Sequence, residues 1–210
     1  MSFMSKTAAF VGMKALRNLV SDSMAIDMGS AATIISVRGR GIVIDEPSLV
    51  AVDSNSGDVI SIGIEAQQMS GREARDVTVI APLLDGVVAD FERSREMLSH
   101  FVRKARGGKS YFSRRAVMSV LSGVTQVEER ALVSAAEHAR IGRVVMIEEG
   151  LAAAFGAGVR VDDQRASAVV DIGGGTTNVA IVASGEIVHA RAERIGSEDI
   201  NAAKIGRAHV

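Results

Sequence analysis

Apolar residues recur along this chain in two rhythms: short β-branched runs, and longer stretches with helical spacing. Strands are predicted at Met24–Met28, Ile34–Val37, Gly41–Ile44, within Glu46–Val52, at Val59–Ile64, Val77–Ile80, Ala116–Leu121, Val144–Ile147 and Ile187–Ile195. Ala116–Leu121 reads as buried on both faces. Helices are predicted at Glu65–Arg72, at Phe91–Arg103 behind an Asp90 N-cap, at Gln126–Ala139 behind Thr125, and at Leu151–Gly156. In Phe91–Arg103 the residues Phe91, Met97, Leu98, Phe101 and Val102 supply the helical spacing. The segments Pro82–Asp90 and Val161–Ala166 read as loops, and Arg38-Gly39-Arg40-Gly41 as a turn with two exposed cations. An initial run of strands followed by strand–helix alternation predicts an α/β chain, a mixed sheet with flanking helices. A ligand is then expected in the crevice at the strand ends.

Two β-hairpins share one layout. In Val169-Val170-Asp171-Ile172-Gly173-Gly174-Gly175-Thr176-Thr177-Asn178-Val179-Ala180-Ile181-Val182, two apolar strands flank an Asp, three glycines and two threonines. Consecutive glycines are read here as giving access to positive φ and letting backbone N–H groups approach an anion. Asp171 would repel a bare phosphate, so a cation between them is implied, as in a magnesium–nucleotide site. Met24–Val37 repeats the pattern with Asp27, Gly29, Ser30, Ala31 and Ala32 between its strands. Two copies are far more specific than one, since together they supply two backbone cradles and two carboxylates for one polyphosphate and its metal.

Composition narrows the rest. The 210 residues are 47% hydrophobic with no apolar run long enough to span a bilayer, and the formal net charge of −1 gives no reason to expect bulk nucleic-acid binding. Cysteine is absent, excluding disulfides and thiolate metal sites. Aromatics at 3% leave the core to aliphatic residues and methionine. In residues 1–22, Lys6, Lys14 and Arg17 gather on one arc of a helix, with most apolar residues elsewhere. That suits either a membrane-surface helix or a tail packed on its own domain. The basic run Arg103–Arg115 reads as a solvated loop rather than a nucleic-acid patch. Glu128 stands three residues after Thr125, the capping-box spacing.

With these motifs in hand, the chain resembles the MreB family, bacterial rod-shape-determining homologues of actin within the actin and heat-shock chaperone ATPase superfamily. The likeness rests on both hairpins and on Gly39–Val43 with Glu46-Pro47-Ser48, Pro82–Phe91, Gly123–Glu128 and Ile147–Glu149. It implies an actin-like (ribonuclease H-like) ATPase fold that binds ATP and Mg2+. On that resemblance Asp27 and Asp171 are metal-side aspartates. Gly29, Ser30, Ala31 and Ala32 form the first phosphate loop, and Gly173, Gly174, Gly175, Thr176 and Thr177 the second. Glu128 orients the attacking water opposite the Thr176–Thr177 pair, making Glu128 and Thr177 the catalytic candidates. The resemblance further implies filaments of the protein itself and attachment to the inner membrane surface through residues 1–22. It also implies a cytoplasmic location, contact with the cell-wall elongation machinery, and control of cell shape. A chaperone-type ATPase domain and a sugar or acetate kinase are the alternatives of the same fold. Three residues depart from the family pattern: Ala32 for asparagine, Gly150 for proline and Asn178 for glutamate. The expected organisation is a terminal segment at 1–22, a first actin-like domain at 23–150 with a small insertion, and the start of a second at 151–203. Residues 204–210 are expected to be a non-native tail, with the family's second half belonging after Asn201.

Overall fold

The computed structural model describes residues 23–107 and 115–207, so the readings made for residues 1–22 and for the middle of the basic run lie outside the described residues. Thirteen strands and five helices are described. In chain order, β1 (Ser23–Met28), β2 (Ala32–Val37) and β3 (Gly41–Pro47) form an antiparallel meander. A small sheet follows, built from β4 (Val50–Asp53), β5 (Val59–Ile62) and β6 (Val77–Ile80), with helix α1 (Ile64–Met69) between the last two. Two short strands, β7 (Leu83–Leu84) and β8 (Val87–Val88), make a tight hairpin inside the segment read as loop.

Helix α2 (Phe91–Ala105) starts where Asp90 accepts the Arg93 backbone N–H at 3.0 Å, the predicted cap. Then come β9 (Arg115–Val120), α3 (Gln126–His138), β10 (Val144–Glu148) and α4 (Glu149–Gly156). β11 (Ser167–Ile172), β12 (Thr177–Ala183) and β13 (Glu186–Glu193) close a second sheet before α5 (Ser197–Arg207). The main sheet has the order β10–β9–β1–β2–β3, with β1, β9 and β10 parallel and the meander antiparallel. It is therefore mixed, as the element pattern predicts.

The larger core lies on one face of that sheet. Met24, Ile26, Met28, Ile35, Ala116 and Met118 pack there with Met97, Leu98, Phe101 and Val102 of α2 and with Ala135 and Ala136 of α3. Strand β9 is not buried on both faces: Ala116, Met118 and Val120 are buried while Arg115, Val117 and Ser119 are half-buried. The polar residues Arg115 and Ser119 on its other face explain the alternation, because that side leads to the polar crevice. Phe91 is 36% exposed and stands outside the core. Arg40 is held rather than loose, donating to the Ala105 carbonyl at 2.8 Å and so capping α2.

The second core is small, made of Ala154, Val161, Ala180 and Val182 with partly buried Leu151, Val159, Val169, Ile187 and Ala190. Its packing depends on Gly150. A Cβ there would sit 2.4 Å from the Ala180 Cβ, so α4 lies directly on β12. This gives the departure from proline at position 150 a physical reason. On the opposite face of this sheet Val170, Ile172, Val179, Ile181 and Val188 are exposed.

Gly150→Ala should destabilise the chain by about 1–3 kcal/mol through overpacking. Urea unfolding of the two proteins checks it, with Ala152→Gly, on the same helix, as the contrast.

Candidate functional site

Two hairpin turns meet tip to tip. In the first, the Gly29 N–H donates to the Ala32 carbonyl at 3.0 Å, leaving Ser30 and Ala31 at the tip; in the second, the Gly173 N–H donates to the Thr176 carbonyl at 2.8 Å, leaving Gly174 and Gly175. The repeat seen in the sequence is thus a repeat of backbone geometry. The glycines, however, serve a different purpose from the one expected. None of Gly29, Gly173, Gly174 and Gly175 has φ in the left-handed range. Close approach explains Gly174 and Gly175 instead: a Cβ on Gly174 would lie 2.6 Å from the Ala31 Cβ, and one on Gly175 would lie 3.1 Å from the Asp85 nitrogen.

A third turn braces the other two. Gly86, with φ 75°, donates its N–H to Ser30 Oγ at 3.0 Å, and its Cα faces the Thr176 methyl. Behind the first turn, Ser48 donates its hydroxyl to the Gly29 carbonyl at 2.7 Å and its N–H to the Ala31 carbonyl at 3.1 Å. Ser48 and its partner Thr33 are fully buried. Behind the second turn, α5 begins with the Ser197 and Glu198 N–H groups donating to the Gly173 and Gly174 carbonyls, both at 2.9 Å. A side chain at Gly196 would collide with the Gly174 carbonyl.

Beneath the turns lies a carboxylate cluster. Asp27, on β1, accepts the Ser119 hydroxyl from β9. Glu149, the first residue of α4, is carried by the β10–α4 connection to the two hairpin aspartates. Burial, then the charges of Asp27 and Asp171, push Glu149 up to about 7; burial, then Asp27, raise Asp171 as well. Asn178, paired with Asp171 across the hairpin, is 1% exposed and its amide makes no hydrogen bond of ordinary geometry. It lies close enough to Glu149 to favour the charged carboxylate. Glu149 and Asn178 were not among the site residues expected from sequence; the signal available was a glutamate opening a helix of small residues directly after a parallel strand.

Among the described residues, no three acidic or histidine side chains are close enough to enclose a metal by themselves. Crowded carboxylates beside an orphaned buried amide nonetheless fit a hydrated magnesium ion, which keeps several waters and needs only one or two protein carboxylates.

The two catalytic candidates are not in contact. Thr177 Oγ1 donates to the Ile195 carbonyl at 2.8 Å. Glu128 completes the capping box of α3, accepting from the Thr125 N–H at 2.8 Å and the Thr125 hydroxyl at 2.7 Å. Its other oxygen faces Arg194 at 3.5 Å. These Thr125 bonds, helped by Arg194, hold the Glu128 carboxyl below its usual range. Glu128 and Glu149 line the same narrow crevice, together with Gly86, Ser119 and Leu121.

Residues 21–207, which carry both turns and both aspartates, match the family described as MreB/Mbl protein. The chain belongs to the MreB/Mbl family. It is 40% identical to the cell shape-determining protein MreB of Escherichia coli over 198 residues, 92% of this chain and 57% of that protein. Against the cell shape-determining protein Mbl of Bacillus subtilis it is 43% identical over 163 residues, 78% of this chain and 49% of that protein. Its fold matches MreB5 of Spiroplasma citri bound to ADP with a TM-score of 0.79 and 33% identity, covering 86% of this chain and 54% of the other. This MreB/Mbl chain therefore spans about half the length of its relatives. The family match and helix α5 both run through position 207.

The cluster predicts a pH dependence. Because the folded-state pKa of Glu149 is raised, its contribution to stability is present below about 4.5 and is lost as pH rises through about 7. Without divalent cations, Tm should fall between pH 5 and 7.5, and Glu149→Gln should reduce that fall by a few degrees. Asn178→Asp should steepen it, and millimolar Mg2+ should flatten it both in the parent chain and in the Asn178→Asp variant.

Proposed function

We propose that this chain is the phosphate-clamping part of an ATP-driven, filament-forming cell-shape protein of the actin type. The observation that carries the reading is the pair of equivalent hairpin turns meeting over Asp27, Asp171 and Glu149. In this reading the turns around Ser30–Ala31 and Gly174–Gly175 cradle the β- and γ-phosphates with backbone N–H groups and with the hydroxyls of Ser30 and Thr176. Ala31, Ala32 and Gly173 complete the two loops. Asp27 and Asp171 would hold the magnesium ion, with Glu149 and Asn178 beside them. When bound, that ion neutralises charge on the phosphates.

Glu128 then acts by position. Held ionised by its capping box, it accepts a hydrogen bond from a water and aims that water at the γ-phosphate, and Thr177 closes the other side. Hydrolysis would time the disassembly of the polymer. Ala32, having no amide, withholds one contact that an asparagine would give. Further parts of the proposal are self-assembly into filaments, a cytoplasmic position against the inner membrane face through residues 1–22, and contact with the wall-elongation machinery. Among the described residues no helix is long and apolar enough to cross a membrane.

The full-length gene product should sediment as polymer with ATP and Mg2+; failure to form polymer at any protein concentration would count against the reading. In that protein, Asp27→Asn and Asp171→Asn should each weaken magnesium-dependent ATP binding at least about tenfold, measured with a fluorescent ATP analogue. Glu128→Gln should leave binding in place and slow phosphate release by about 10²-fold.

A further inference from the structure

Asn178 is buried without being served. It is 1% exposed, and neither its amide nitrogen nor its amide oxygen has a protein partner in ordinary hydrogen-bond geometry. Elsewhere among the described residues such a lack touches one atom of a side chain; here it takes the whole functional group. A buried amide in that state is costly and calls for a partner from outside the chain.

Its place in the fold says where that partner would stand. In the β11–β12 pairing Asn178 lies directly opposite Asp171, and directly opposed residues of an antiparallel pair put their side chains on one face. That face is the one α4 covers, for two residues further along β12 Ala180 receives Gly150. Glu149, the neighbour of Gly150 in α4, is thereby brought close to the Asn178 amide. Asn178 is thus aimed between Asp171 and Glu149, where the charge of Asp27 also acts.

The two halves of the amide ask for different partners. Its nitrogen donates, and Glu149 is an acceptor close to it. Its oxygen only accepts, and ionised carboxylates have no proton to give. The nearby hydroxyls are committed, Ser119 to Asp27 and Thr177 to the Ile195 carbonyl. A phosphate oxygen is itself an acceptor and cannot serve. A water bound to a cation can, because coordination takes its lone pair and turns its hydrogens outward. Magnesium keeps several such waters, so carboxylates beside one neutral acceptor match its hydrated form.

We propose that Asn178 is an outer ligand of the site's cation, its Oδ1 accepting a hydrogen bond from a metal-bound water while its Nδ2 braces Glu149. It sets how tightly the cation is held without contributing a charge. The family pattern places an acid at this position, so this chain holds its cation with one negative charge fewer. The inference rests on the magnesium reading of the site and assigns one residue's part in it.

Manganese(II), which electron paramagnetic resonance detects directly, is the probe. The whole chain is titrated with it at fixed pH and ionic strength, without nucleotide, as the parent, Asn178→Leu, Asn178→Asp and Asp171→Asn, and the Tm of each is measured in EDTA. Asn178→Leu keeps a similar size and removes both polar atoms. It should weaken manganese binding about tenfold, as the loss of an outer ligand does, without lowering Tm in EDTA. Asn178→Asp keeps an acceptor and adds a charge, and should tighten binding while lowering that Tm. A purely structural amide would not move the two affinities in opposite directions. If Asp171→Asn abolishes binding but Asn178→Leu binds as tightly as the parent, or Asn178→Asp binds more weakly, the proposal is overturned and the magnesium reading stands. If the parent binds no manganese, or Asp171→Asn binds it unchanged, both fall together.

Discussion

The contact on which the site depends is the approach of one hairpin tip to the other. Ala31 and Gly174 are so close that a single methyl group on the second would collide with the first. Steric exclusion at that scale is unforgiving, because a compact interior yields to an added methylene only by shifting backbone. Everything around the two tips serves to hold them there. Ser48 and Thr33 fix the first from behind, α5 fixes the second, and the Asp85–Gly86 turn touches both. Each brace is a backbone or short-side-chain hydrogen bond, so the geometry is stiff without bulky residues.

That arrangement brings like charges together. Asp27 and Asp171 come from hairpins in different sheets, and Glu149 is carried between them by the helix that links those sheets. A fold assembled for its own stability alone would separate these side chains, since burial and like charge both disfavour the ionisation of Glu149 and Asp171. Keeping them adjacent lowers stability near neutral pH. Asn178, in a place where the family pattern has an acid, limits the crowding by supplying a dipole instead of a fourth charge.

Much of the element order was legible in the sequence. β-Branched runs marked most of the strands, Asp90 and Thr125 marked two helix starts, and the strand–Asp–Gly–hydroxyl–strand repeat marked both turns. Glycine's two uses were not separable there: positive φ and close approach both select it, and only tertiary contacts distinguish them. The same limit applies to Glu149. Its neighbours Asp27 and Asp171 are far away in the chain, so no local pattern records the cluster. Glu128 shows how one side chain answers two descriptions. Its capping role is written in the Thr125 spacing, whereas its second contact, Arg194, arrives from the end of β13, distant in the chain. The alternation of β9 and the exposure of Phe91 were missed because apolar content alone does not reveal which face a neighbour covers.

The small second core has a thermodynamic corollary. Four buried residues and a short helix give the β11–β13 sheet little cohesion of its own, and one of its faces remains apolar and bare. Its registry against the main sheet is therefore governed by few contacts, chiefly Gly150 on Ala180 and the abutting turns. A ligand that bridges both turns acts on this weak link by mass action, adding its binding free energy to the cohesion between the two cores. Occupancy and conformational order then become two readings of a single equilibrium. The state of the bound ligand can in this way reach surfaces that the ligand itself never touches.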